Sequence, residues 1–222
     1  MTRPRSNAIV GCLQAGDIMI KHSDGGIISK VIRFGQLFGR GSSKFVHAGI
    51  ASSGTTIIEM DGEGLQENNL LIKNRDYKYD VFRCNYSDIQ AGAAETARMM
   101  LDGFGAPQAP QGGSKISYSM GGAARSISKR TRFPGGDVIN ATLDNLLSAG
   151  GDAFFCSGHV VLCYQSAMGQ AQMAQTLFPV QHSQQLFSLD STCYQPAFLW
   201  KTLEESHHFT KIGTVKGAIK IA

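Results

Sequence analysis

Residues 45–60 read FVHAGIASSGTTIIEM, and this stretch decides the fold prediction. Two apolar, β-branched runs, 45–51 and 55–60, flank the short polar segment 52–54. This pattern is typical of an antiparallel β-hairpin. Gly54 could supply the left-handed conformation that a three-residue hairpin loop requires. The sequence therefore predicts two adjacent antiparallel strands.

The length of the hairpin loop decides which side chains face each other. With a three-residue loop, Ala51 pairs with Thr55 and His47 with Glu59, so the imidazole and the carboxylate share one face of the sheet. A two-residue loop would instead place Met60 opposite His47 and turn Glu59 away. The three-residue loop is the one that supports a catalytic interpretation.

Outward from the hairpin, hydrophobic periodicity predicts further strands and several helices. The predicted strands are 16–20, 77–83 and 194–203, and the predicted helices are 27–38, 87–101, 137–148 and 152–168. No repeat or linker divides the 222 residues. We therefore expect a single α+β domain over residues 1–222, with a glycine-rich, basic insert at about 103–136. Its antiparallel sheet should pack against the predicted helix 152–168, the cysteine-bearing helix, which contains Cys156.

The chain has five cysteines and no CxxC motif, which favours one functional thiol over a disulfide scaffold or a zinc knuckle. Cys156 lies near the start of a predicted helix, where the helix dipole stabilises a thiolate. Cys163 lies two turns further along the same helix and is expected in the core. Cys156 is therefore the candidate nucleophile.

A cysteine nucleophile needs a base and a group that orients the base. His47 is the candidate base and Glu59 the candidate orienting residue. His159, one turn after Cys156, is a rival base that points along the same helix. Each residue also has a purely structural interpretation, as a buried thiol, a core histidine or a surface carboxylate.

Composition narrows the functional classes. A net charge of +4 is too mild for a nucleic-acid-binding protein, and no apolar run is long enough for an integral membrane segment. No ligand pattern predicts a metal or another cofactor. The N-terminus lacks a signal-peptide core, so we expect synthesis in the cytoplasm without a cleavable signal peptide. His207 and His208 are expected in a solvated tail.

Several short motifs together resemble one family. Gly16-Asp17-Ile18, His47-Ala48-Gly49-Ile50, a polar residue twelve positions after the histidine, and Cys156-Ser157-Gly158 are similar to motifs of NlpC-type cell-wall peptidases. The cysteine motif comes last here, which resembles the circularly permuted YiiX and YebB branch. Phe155 stands where the unpermuted family often has Asp.

The resemblance implies a papain-like core with Cys156, His47 and Glu59 as catalytic residues. It also implies that Tyr118 lies near the oxyanion of the reaction. Within the insert, Arg125, Lys129, Arg130 and Arg132 form a basic run that is either a solvated loop or a surface for an anionic substrate.

Three functions remain open at this stage. The first is a cysteine amidase or endopeptidase that cuts bacterial peptidoglycan peptides. Without a signal peptide, such an enzyme resembles the antibacterial effectors of type VI secretion systems, which act in a target cell's periplasm and have an immunity protein and a secretion component as partners. The second is a lipid acyltransferase, thioesterase or phospholipase similar to lecithin:retinol acyltransferase. The third is a non-catalytic binding module.

Overall fold

The computed structural model describes residues 12–24, 44–61, 64–104, 156–173, 186–216 and 219–221. These residues form the expected α+β fold, an antiparallel sheet with packed helices. The strands are β1 Ile18–His22, β2 Phe45–Ala51, β3 Thr56–Asp61, β4 Gly64–Asn69, β5 Lys78–Cys84, β6 Phe209–Lys216 and β7 Ile219–Ile221. The helices are α1 Ser87–Phe104, α2 Cys156–Met173 and α3 Pro196–Glu205, with a short 3₁₀ turn at Ser191–Cys193.

The seven strands follow the order β4-β3-β2-β1-β5-β6-β7, so the hairpin strands β2 and β3 lie inside the sheet. Side chains alternate between two apolar clusters because successive strand residues point to opposite faces. Ile18 and Ile20 join the main core with the helices, whereas Met19 joins a smaller cluster with Ile57 and Tyr79. Helix α2 packs on β2 and β3 and along α1.

The hairpin and the cysteine-bearing helix were found where the sequence predicts them. Strand β2 has the expected bounds, and β1, β3, β5 and α1 differ from expectation by one to three residues at their ends. Helix α2 continues to Met173, five residues beyond the predicted end. Strands β4, β6 and β7 were not predicted from the sequence. The predicted helices 27–38 and 137–148 lie outside the described residues.

The predicted strand at 194–203 is wrong, because this segment forms helix α3. Pro196 is the first helical residue, a position where its missing N–H costs nothing and its fixed φ suits a helix. Ala197, Leu199 and Leu203 are buried, and their spacing fits one face of a helix. The proline was the signal that should have excluded a central strand.

The expected solvated tail at residues 207–208 is also wrong for His208. Its exposed fraction is 2%, and its Nδ1 lies 2.8 Å from the Tyr86 hydroxyl. His208 directly precedes β6, which pairs with β5. Because β6 begins at the next residue, the backbone of His208 lies against the sheet and its side chain is buried.

The hairpin register also differs from the prediction. Ala51 pairs with Ile57 and Gly49 with Glu59, so five residues, 52–56, connect the paired ends. The expected direct pairing of His47 with Glu59 is therefore wrong by two residues. A shift of two preserves the face on which each side chain lies, because the side-chain period of a strand is two.

The longer loop has a local cause. Gly54 is not among the described glycines with positive φ, so the three-residue turn that depends on it does not form. Instead the hydroxyls of Ser52 and Ser53 lie 2.7 and 2.6 Å from the Thr56 hydroxyl. With these contacts, Thr56 belongs to the loop of the hairpin and does not pair with β2.

The Gly16-Asp17 motif fixes the beginning of β1. Gly16 has a φ of +93°, and an added Cβ would lie 2.3 Å from the Gln90 carbonyl oxygen, so only glycine fits. Asp17 is fully buried and receives two hydrogen bonds from the Arg83 guanidinium, at 2.8 and 2.7 Å. The Tyr164 hydroxyl donates to the Gly16 carbonyl at 2.7 Å, which ties α2 to this strand.

Candidate active site

His47 and Glu59 are hydrogen-bonded across the hairpin, with 3.0 Å between Nε2 and Oε2. They are diagonal neighbours, since Gly49 is the residue directly opposite Glu59. Diagonal residues on one face are within reach of long side chains. Gly49 has no side chain to occupy the position across from Glu59, and an added Cβ would lie 2.7 Å from Ile57 Cδ1.

A β-bulge lies next to His47. Lys21 of β1 pairs with His47 and His22 with Phe45, which leaves Val46 as the extra residue. A bulge bends its strand and redirects the neighbouring side chains. It allows Phe45 to join the main core while His47 faces Glu59. No pattern in the sequence indicates this bulge.

Glu59 is a buried carboxylate with three hydrogen-bond partners. Its exposed fraction is 4%. The side-chain amides of Asn68 and Asn74 both donate to Oε1, at 2.8 and 2.6 Å. Burial raises the pKa of Glu59, but the hydrogen bonds from His47, Asn74 and Asn68 and the charge of His47 outweigh it and lower the pKa to about 2.

Cys156 is the first residue of α2 and has an exposed fraction of 2%. Burial raises the pKa of its thiol, whereas the charge and hydrogen bond of His47 and the backbone N–H groups of Ala48 and Ser157 lower it, with a net decrease. The pKa of His47 moves the other way. Burial lowers it, but Cys156 and Glu59 raise it more. His47 is thus hydrogen-bonded to Glu59 and close enough to the Cys156 thiol for each of the two groups to shift the pKa of the other.

The other described thiols have different environments. Burial raises the pKa of Cys84 to about 11, and it also raises the pKa of Cys163. Cys193 is buried, and Cys12 is exposed. Cys156 is the thiol among them whose pKa is lowered by a neighbouring histidine.

His159, the rival base, is fully buried in α2. Burial, with a smaller contribution from the charge of His47, lowers its pKa to about 4, so its ring is neutral at neutral pH. Its Nε2 lies 3.5 Å from the Cys163 sulfur. Nε2 of His159 therefore faces the thiol of Cys163, whose pKa is raised by burial.

The remaining predicted site residues lie outside the described residues: Tyr118, Arg125, Lys129, Arg130 and Arg132. Within the part of the chain that is described, no cluster of three or more His, Cys, Asp or Glu residues could hold a metal ion. Among the described helices, none is long and apolar enough to cross a membrane.

Asn68 and Asn74 were not predicted from the sequence. Asn68 lies on β4, a strand that the hydrophobic pattern did not indicate, and Asn74 lies in the turn that follows. The one available signal was their position shortly after Glu59, and asparagine is common in turns for unrelated reasons.

The chain was compared with protein-family models, with curated proteins and with solved structures, and none of them matches it. The proposed function therefore rests on the geometry of the site.

Proposed function

We propose that this protein is a cysteine hydrolase in which Cys156 is the nucleophile, His47 its acid and base, and Glu59 the residue that orients His47. The observation that carries the proposal is the shared position of His47, which bonds to Glu59 through Nε2 and interacts with the Cys156 thiol. A histidine between a thiol and a carboxylate is the arrangement that activates a cysteine for acyl transfer.

The charge state follows from the pKa directions. A lowered pKa for Cys156 and a raised pKa for His47 favour a thiolate beside an imidazolium. Since Glu59 engages Nε2, Nδ1 is the ring nitrogen available to the sulfur. The N-terminal end of α2 adds a favourable dipole for the thiolate.

The reaction then proceeds in two stages. The Cys156 sulfur attacks the amide carbonyl carbon, and the C–N bond breaks as His47 donates its proton to the leaving amine, which gives an acyl-enzyme. Neutral His47 next removes a proton from water, and the resulting hydroxide attacks the thioester carbonyl. The acid is released, the thiolate returns, and His47 is again protonated.

We further propose that the substrate is a peptide of bacterial peptidoglycan and that the fold is a circularly permuted, papain-like NlpC-type domain. The motif resemblance and the α+β arrangement, with the cysteine at the start of a helix that packs on β2, support this assignment. An antibacterial effector with an immunity protein as partner is the corresponding biological role.

Mass spectrometry of reaction products tests the substrate. The protein is incubated separately with peptidoglycan muropeptides and with phospholipid vesicles, next to Cys156→Ala and the buried-thiol control Cys84→Ala. We expect hydrolysed muropeptide stems, a loss of at least about 10³-fold with Cys156→Ala, and activity with Cys84→Ala. Cleaved or transferred acyl chains would replace the peptidase proposal by the lipid one. Cleavage by Cys156→Ala at the wild-type rate would refute the cysteine mechanism.

A further inference from the structure

Two asparagines determine the surroundings of the Glu59 carboxylate. Asn68 lies on β4, and Asn74 lies in the turn between β4 and β5. Their Nδ2 atoms donate to Oε1 of Glu59 at 2.8 and 2.6 Å. Their exposed fractions are 5% and 1%, so these hydrogen bonds are shielded from water. The other carboxylate oxygen of Glu59, Oε2, is hydrogen-bonded to His47.

Hydrogen bonds hold both the side-chain amide and the backbone of Asn74. An amide nitrogen carries two hydrogens, and the second contact of Nδ2 is the Tyr79 hydroxyl at 3.0 Å. The Asn74 backbone is fixed as well, because its N–H donates to the Asn69 carbonyl at 3.2 Å and its carbonyl accepts from Tyr77 N–H at 3.0 Å. The amide therefore has little freedom to turn away from Glu59.

A buried carboxylate remains charged only if its oxygens receive enough hydrogen bonds. A buried ion pair likewise stabilises a protein only where the remaining lone pairs are satisfied. His47 satisfies one oxygen of Glu59, and the two asparagines satisfy the other. Without them, Glu59 would gain a proton or rotate, and His47 would lose its anionic partner.

We propose that Asn68 and Asn74 are positioning residues, which keep Glu59 ionised and oriented so that His47 remains protonated beside the Cys156 thiolate. The inference rests on the proposed function for the roles of His47 and Cys156. The asparagines act through Glu59 and are assigned no contact with substrate.

Other titratable groups lie next to the hydrogen-bond network of Glu59, and substitutions of Asn68 or Asn74 leave them in place. Lys21 of β1 pairs with His47, and its ammonium contacts Asp24 at 2.9 Å and the Tyr77 ring at 3.2 Å. Asp61, two residues after Glu59, contacts Lys73 at 3.4 Å. Within the described part of the chain, further titratable neighbours are Cys156 and His159 on α2 and Tyr79 on β5.

The test is a pH titration of the Cys156 thiolate in the full chain. The thiolate absorbs in the ultraviolet, and subtracting the titration of Cys156→Ala isolates this thiol from the other four without any substrate or reagent. The variants are Asn74→Leu and Asn68→Leu. The matched control is Asn69→Ala, which removes a hydrogen bond from the same turn, Leu71 N–H to Asn69 Oδ1 at 2.8 Å, without touching Glu59.

We expect a wild-type midpoint below the ~8.5 of a free thiol. Asn74→Leu should move it to higher pH by about one pH unit, which is about a tenfold smaller thiolate fraction below both midpoints. Asn68→Leu should move it in the same direction, and Asn69→Ala should leave it unchanged. In a Glu59→Gln background, neither asparagine substitution should move the midpoint further, because the carboxylate through which they act is gone.

Three results would overturn the inference: wild-type midpoints in both asparagine variants, an equal change in Asn69→Ala, or full additivity with Glu59→Gln. If Asn74→Leu does not fold, Asn68→Leu on the edge strand β4 decides the question alone. Failure of the substrate proposal is distinguishable, since intact muropeptides together with the expected midpoints would refute the substrate and leave the asparagine roles standing.

Discussion

Two histidine–carboxylate pairs lie on the same sheet and invite comparison. His47 bonds to Glu59 at 3.0 Å, and His22 bonds to Asp80 at 2.8 Å. Both carboxylates are buried, with exposed fractions of 4%, and the pKa of each is lowered by its hydrogen bonds in spite of burial. Distance and burial therefore do not distinguish the two pairs.

The other partners of the carboxylates differ. Asp80 also receives hydrogen bonds from Trp200 and Thr214, both at 2.8 Å, and an ion pair from Lys211 at 3.0 Å. Among the described residues, the hydrogen-bond partners of Glu59 besides His47 are neutral amides. Asp80 thus has a cation independent of its histidine, whereas Glu59 relies on His47 for positive charge. This difference favours a protonated His47 at neutral pH.

The surroundings of the histidine rings differ as well. The His22 ring packs edge-on against Phe45 at a centroid distance of 4.9 Å, and Phe45 stacks on Trp200 at 4.7 Å. The His47 ring interacts with the Cys156 thiol. Under the proposed function, the pair beside the thiol serves catalysis, whereas the pair packed against an aromatic ring serves structure.

Replacing the two histidines should give the largest contrast. His47→Ala removes the acid and base, so hydrolysis should fall by about 10²–10⁴-fold. His22→Ala should leave the rate close to wild type and lower the Tm by several degrees, because a hydrogen bond to a charged group contributes about 1.5–3 kcal/mol. Rate assays and thermal melts on both variants check this. Equal loss of activity in both variants would contradict the different roles assigned to His47 and His22.

Neutralising the carboxylates should have a smaller effect. Glu59→Gln keeps an acceptor for His47 and loses the charge, so the rate should fall by roughly 10- to 150-fold, the equivalent of about 1.5–3 kcal/mol. Asp80→Asn should reduce stability and leave the rate unchanged. Initial rates measured beside denaturant unfolding separate the two effects. A wild-type rate for Glu59→Gln would show that the charge does not assist catalysis.

The pH range of activity offers a finer test. The acid limit should follow protonation of Cys156, whose pKa is lowered, and the alkaline limit should follow deprotonation of His47, whose pKa is raised. The rate should therefore show a broad plateau around neutral pH. Glu59→Gln should narrow the plateau from both sides, and His22→Ala should not change it. A pH–rate profile in which His22→Ala moves either limit would contradict the assignment.

The smallest effect concerns acid stability. The pKa of Glu59 falls from 4.5 to about 2 on folding, so its contribution is present above pH 4.5 and is lost as the pH falls toward about 2. Asp80, whose pKa is also lowered, should act in the same direction. Glu59→Gln and Asp80→Asn should each flatten the fall in unfolding free energy across this range. Chemical denaturation at several pH values measures it, and unchanged slopes in both variants would refute the argument.

Local patterns in the sequence were sufficient to identify several elements. The hairpin, the helix that contains Cys156 and the strand around Tyr79 were predictable, because hydrophobic period and turn residues reflect local geometry. The choice of His47 and Glu59 as partners also came from sequence. It holds for the observed geometry because a register error of two residues preserves the face of the sheet.

The tertiary structure decided what depends on contacts between distant segments. The sequence determined that His47 and Glu59 could share a face. Only the fold decided that Gly49 lies directly opposite Glu59, that a bulge at Val46 adjoins His47 and that Asn74 reaches Glu59. These features arise from strand pairing and side-chain packing, whose energies depend on residues far apart in the chain. No local period encodes them.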